Sequence, residues 1–136
     1  MPCEVLWLVE NRVIYTRTYG VVSIGEIQQL MAQTKDMMDT GTKFVHLVAN
    51  SADIERLTFN LTDLMKSFRG FPSSPNRGWA LSVSPNVMYR FFSSIAAQMS
   101  NSRHRVFSTM EEAIAFLQSV DEALPPIPLH VKQGEN

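Results

Sequence analysis

The chain has 136 residues, 45% hydrophobic and 18% charged, with a formal net charge of -1 from 12 basic and 13 acidic side chains. That balance excludes a disordered chain, and the basic residues form no stripe that could follow a phosphate backbone, so nucleic acid is not an expected partner. Cys3 is the single cysteine, which excludes an intramolecular disulfide and a cysteine metal cage, and no apolar run approaches the roughly 18 residues of a membrane span.

The length fits one domain able to bury its own core. The expectation is a single α/β domain over residues 1–124, cytoplasmic and not membrane-spanning, followed by a poorly ordered tail, residues 125–136, with three prolines in its first four positions. Glu4 to Val9 and Arg12 to Thr18 are β-prone runs joined by Glu10-Asn11, which reads as an antiparallel hairpin. Ser23-Ile-Gly-Glu26 has capping-box spacing, and Ile27, Leu30, Met31, Thr34 and Met38 share one helical face that Gly41 is placed to end in a left-handed conformation. Lys43 to Asn50 is a near-continuous apolar run of the kind a parallel strand covered on both faces needs, and Asn50 to Asp53 reads as a loop.

Leu57, Leu61, Leu64, Met65 and Phe68 mark a second helix, starting between Thr58 and Asn60 and stopping at Gly70. Gly70 to Gly78, with two prolines, is the longest expected internal loop and the natural place for mobility. Trp79 to Ser84 reads as a buried strand, and Ser84-Pro85 as an N-cap followed by proline at the first helical position. Met88, Phe91, Phe92, Ile95, Ala96 and Met99 make the third helix the most apolar. Arg103 to Phe107 reads as a short strand and Ser108-Thr-Met-Glu111 as a capping box for a last helix burying Ala113, Ile114, Phe116, Leu117 and Val120. Strands that alternate with helices imply a mixed, mostly parallel sheet of four to five strands, with the hairpin strand antiparallel at an edge.

The stretches Val13-Ile-Tyr-Thr-Arg-Thr-Tyr-Gly20-Val-Val-Ser, Val45-His-Leu-Val, Trp79-Ala-Leu-Ser-Val and Arg105-Val-Phe-Ser-Thr-Met-Glu-Glu-Ala-Ile-Ala-Phe-Leu117 resemble the STAS superfamily, in its branch of small SpoIIAA-like proteins. The likeness covers roughly residues 4 to 120 and lies in structural patterns. It implies a superhelix of βα units and a non-enzymatic role in protein interaction, regulation, or nucleotide or lipid sensing. Anti-sigma-antagonist members carry an aspartate-serine pair after the central strand, whose serine is phosphorylated. The matching segment here, Ile54-Glu-Arg-Leu57-Thr58-Phe-Asn60, offers Thr58 as its one hydroxyl, with no preceding aspartate and no following glycine.

The candidate residues follow from these placements. Thr58 and Ser51 are candidates for phosphorylation or partner contact. Ser23, Ser84 and Ser108, just before helices, could together receive an anion; the simpler reading is that each caps its own helix. Met88, Phe91 and Phe92 are candidates for an apolar ligand pocket, against ordinary core packing. His46, His104 and His130 are too scattered for a metal site, although His46, inside an apolar strand, must find a hydrogen-bond partner. Arg69, Arg77 and Arg90 could face an acidic partner or only solvent. Cys3 has no basic neighbour to make it a nucleophile.

No cofactor and no metal are expected. The expected function is a non-catalytic regulatory or protein-interaction domain; the alternative is a carrier for a small apolar or lipid-like ligand. The apolar edge strand from Glu4 to Val9, flanked by charge only at Glu4 and Glu10, points to a homodimer through that edge, unless the proline-rich tail covers it.

Overall fold

The structure is a computed structural model that describes residues 3–127. These form five strands and four helices: β1 (Cys3–Val9), β2 (Val13–Val22), α1 (Ile24–Thr40), β3 (Val45–Leu57), α2 (Leu61–Phe68), β4 (Arg77–Val83), α3 (Val87–Met99), β5 (Arg103–Phe107) and α4 (Met110–Val120). The strands lie side by side in chain order, with β1 antiparallel to β2 and every later pair parallel. This is the mixed, mostly parallel sheet with an antiparallel edge strand that the sequence pattern predicts. When each strand pairs with the next, crossovers of one hand put their helices over one face. Accordingly α1, α2 and α3 pack side by side on one face, and α4 packs alone against β4 and β5 on the other.

Alternation along the strands sorts the side chains between the two faces. Val13, Tyr15, Val48, Leu81 and Val83 point to α4, where Ala113, Ile114 and Leu117 meet them in one buried cluster. Trp79 and Phe116 pack edge to face at 5.0 Å, with Arg103 over Trp79 and Arg105 over Phe116. Leu124 and Ile127 join this core, which places the start of the expected tail inside it; Arg12 donates to the Ala123 carbonyl at 2.9 Å and fixes the chain there. Proline limits the backbone choices of this segment without preventing an apolar residue from docking. Residues 128–136, including His130, lie outside the described residues.

Several boundaries differ from the sequence reading. The central strand does not stop at Asn50: Tyr19, Gly20, Val21 and Val22 of the long β2 pair with Asp53, Ile54, Arg56 and Leu57, so the polar stretch expected as a loop continues as strand. Two register shifts between β2 and β3 accompany this extension, each with one extra residue on β3, and Gly20 of β2, at φ 69°, stands at the second. Gly41 ends α1 in extended rather than left-handed backbone. A Cβ there would lie 2.5 Å from a Val45 methyl and 2.7 Å from the Asn11 carbonyl, so glycine answers a close approach. The caps of α2, α3 and α4 are Asn60, Asn86 and Thr109. The segment before β4 is tied down, because Ser73 donates to the Ser100 carbonyl and Asn76 to that of Met38.

His46 sits on the α4 face and finds two partners. Its Nδ1 accepts from the Trp79 amide at 3.0 Å, which leaves the proton on Nε2 to donate to Asp121 at 2.9 Å, just past α4. This bond holds the Asp121 carboxyl below the usual carboxylate range. The ring fits because the neighbouring strand has no side chain opposite: a Cβ at Gly78 would lie 2.5 Å from Nδ1 and 2.9 Å from Cε1. Gly78→Ala must therefore displace a doubly bonded ring, and we expect a loss of about 2 kcal/mol, read as a lowered urea midpoint with unchanged slope. A variant as stable as the wild type would show that His46 is not held in place.

Candidate functional site: a cavity under three helices

The face opposite α4 is built differently. The residues that β2, β3, β4 and β5 turn toward α1, α2 and α3 include Thr16, Thr18, Leu47, Ala49, Ala80, Ser82 and His104. Most are small or polar. The helices above contribute Ile27, Leu30, Met31 and Met38 from α1, Leu64 and Phe68 from α2, and Phe92 and Ala96 from α3. Between floor and roof lies a half-open cavity of about 260 Å³ with a mostly apolar wall. For scale, a dry apolar cavity of roughly 150 Å³ takes up benzene. Although α1 turns an apolar stripe toward the sheet, none of its residues is fully buried, because the stripe borders the cavity rather than packed side chains.

The register aligns the floor. Thr16, Ala49 and Ser82 are direct neighbours across β2, β3 and β4, and Leu47, Ala80 and His104 form a second row across β3, β4 and β5. The Ser82 hydroxyl and His104 Nε2 are 2.9 Å apart. Burial pushes the His104 pKa down, so the ring is neutral near pH 7. Thr16 is 3% exposed and Thr18 6% exposed.

Two cationic residues reach the wall. Lys35 pairs with Asp39, and Arg77 donates to the carbonyls of Asn101 and Ser74. Among the described residues, no carboxylate lines the cavity. Among the described residues, no group of three or more His, Cys, Asp or Glu side chains is placed to hold a metal ion, and no helix is long and apolar enough to cross a membrane.

The structure divides the residues singled out from sequence. Phe92 lines the cavity, whereas Met88 and Phe91 face solvent at 60% and 52% exposure. Adjacent helical positions are about 100° apart, so α3 turns only one of its two phenylalanines inward. Ser51, expected before a helix, lies within β3 and on the cavity wall; Thr58 is exposed, and its amide donates to the Val22 carbonyl.

Ser23 caps α1 in a full capping box with Glu26. Ser84 is buried, and its hydroxyl accepts from the Asn86 amide. Thr109 caps α4 one position later than expected, its hydroxyl accepting from the Glu112 amide, while the Ser108 amide donates to the Glu112 carboxylate. Arg90 joins the two sites by donating to the Ser84 carbonyl and the Ser108 hydroxyl, while Ser23 stands apart at α1. Arg69 is exposed. Burial raises the pKa of the Cys3 thiol.

Sequence reasoning missed the floor. Its trace is the run of small residues at alternate positions, Ala49, Ala80 and Ser82, between bulky Val48 and Leu81.

This architecture is that of a SpoIIAA-like α/β fold. The chain is similar to an uncharacterized protein from the DUF3478 family with a SpoIIAA-like fold, from Shewanella loihica PV-4. The TM-score is 0.58 at 8% identity, over 85% of this chain and 91% of that one. At that identity the likeness carries the fold and no site residue. No protein-family model and no curated protein matches the chain.

Two measurements check the contrast between the faces. Leu117→Ala, in the packed face, should cost about 3 kcal/mol, and Leu30→Ala, already bordering empty space, about 1 kcal/mol or less. Equal losses in urea unfolding would mean that the helical face is packed. The lowered His104 pKa leaves stability unaffected above the unfolded imidazole value of about 6.5; below it the unfolded chain takes up a proton more readily than the folded one, so stability falls with pH. The difference in urea midpoint between pH 7.5 and pH 5.5 should shrink in His104→Gln. An unchanged difference would place the imidazole in solvent.

Proposed function

We propose that the protein is a non-catalytic domain that binds a small apolar or lipid-like molecule between its sheet and the layer formed by α1, α2 and α3. The observation that carries this reading is the cavity of about 260 Å³ on the face where three helices pack, beside an opposite face with a cluster of buried apolar side chains. Protein interiors are close-packed, and a void of this size on one side of a sheet is a feature of that side, not of the whole core. An apolar wall with a few inward polar groups is the usual make-up of a small-molecule site. Regulation of a protein partner through occupied and empty forms is the companion reading. It is favoured by Val87, Met88 and Phe91, which leave three large apolar side chains in solvent on the helix whose other side lines the cavity.

Native mass spectrometry of protein purified from its own cells should show a bound small molecule released on denaturation. Titration with the neutral fluorophore N-phenyl-1-naphthylamine should saturate at one probe per chain. Ala49→Leu from the floor and Ser93→Leu from the helical side should each weaken the probe at least about tenfold while keeping the native circular dichroism spectrum, because each fills the cavity. Unchanged probe affinity in two folded variants would overturn the proposal.

A further inference from the structure

Three features of the cavity floor narrow the chemistry of the occupant, given the binding role proposed above. First, no described residue gives a hydrogen-bond partner to the Thr16 or Thr18 hydroxyl, although both residues are more than nine-tenths buried and line the cavity. Neither hydroxyl oxygen is sealed off, so the open side of each faces the space an occupant would fill and can bond to it.

Second, Thr16, Ala49 and Ser82 stand in one row across three parallel strands. Neighbouring strands are about 4.8 Å apart, so the two hydroxyls flank the Ala49 methyl with room between them for one small polar group. Third, the Ser82–His104 pair can work in either direction. With its hydroxyl proton turned to His104 Nε2, Ser82 presents lone pairs to a donor; with the proton on Nε2, Ser82 can donate to an acceptor.

The charges on the wall point the same way. Lys35 and Arg77 are occupied by Asp39, Ser74 and Asn101, and no described carboxylate lines the cavity. An ionised head group would enter an apolar space without a free counter-charge.

We infer that the cavity is built for a ligand with an uncharged hydroxyl or carbonyl head, seated over Ala49 between Thr16 and Ser82, and an apolar tail under α1, α2 and α3. The lone pairs and protons of the two flanking hydroxyls satisfy such a head from both sides, and the head completes the hydrogen bonding of Thr16.

Displacement of N-phenyl-1-naphthylamine by 1-octanol, octanoate and octane at pH 7.5 tests this, because the three share a chain and differ only at the end. We expect 1-octanol to displace the probe at a concentration at least about tenfold lower than octanoate and about fivefold lower than octane. Thr16→Val, which keeps the shape of the side chain, and Ser82→Ala should each weaken 1-octanol about fivefold and leave octane unchanged. Octanoate binding as well as 1-octanol, 1-octanol no better than octane, or both variants leaving 1-octanol unaffected would overturn the head-group assignment while the cavity reading stands. Displacement by none of the three, with the probe unaffected by Ala49→Leu, would instead remove the cavity reading itself.

Discussion

The alternation of side chains along β3 and β4 is the constraint from which the rest of the molecule follows. Val48 and Leu81 point one way; Leu47, Ala49, Ala80 and Ser82 point the other. A strand offers no intermediate setting, because successive side chains must take opposite faces. One face of β3 and β4 therefore receives Val48 and Leu81, and the other receives Leu47 beside the small groups of Ala49, Ala80 and Ser82. Above the second face, helices are held off the sheet by the larger residues beside the small ones, Leu47 on the floor and Leu30, Met31 and Phe92 on the helices. They cannot sink to meet Ala49 and Ala80. The void results from small residues surrounded by large ones.

The packed face makes that tolerable. Tyr15, Leu81, Ile114 and Leu117 are essentially fully buried, and Asn50 on β3 donates to the Tyr15 hydroxyl, so even the polar atom of the largest core residue is paired. The His46 ring ties β3 to the β4 backbone and to the end of α4 at once, with Gly78 leaving the room. Cooperativity comes from this side of the sheet. Helix α1 also rests on β1 and β2, and α3 on β4 and β5, with Gln28 of α1 bonded to Ser67 of α2. Such an arrangement leaves the space beneath them free to be shaped for something other than stability.

What was legible in the sequence was the part governed by local rules. The apolar runs gave the strands, the Ser23–Glu26 box gave the start of α1, and the β-α alternation gave a parallel sheet. Two things were not local. Asn50 to Asp53 looked like a loop because it is mostly polar, and Leu57 like part of a helical face; both lie in a strand because β2 is long enough to supply backbone partners that no composition rule can see. The inner face of α3 was misread because its apolar stripe is broad: Met88 and Phe91 fit helical spacing as well as Phe92 and Ala96 do. Only packing against β4 and β5 selects the second set. The cavity itself left a faint trace, since an alanine in a strand is as ordinary in a solid core as on the floor of an empty one. Reading it as a floor requires knowing that Ala49 and Ala80 share a face with Thr16 and Ser82, and that depends on register.

Two separate costs meet on that floor. Apolar side chains of α1 that border empty space forgo dispersion contacts that they would have in a filled core. Thr16 and Thr18 present hydroxyls to the same space without a hydrogen-bond partner among the described residues. Water relieves the second cost, but a mostly apolar wall gives it little to bond beyond the floor, and it does nothing for the first. A larger filling of side chains would relieve the first and leave the hydroxyls stranded. An occupant that is apolar along most of its length and polar at one end relieves both at once. The sequence places the groups that need such an occupant on three adjacent strands, with the least bulk where the polar end must pass.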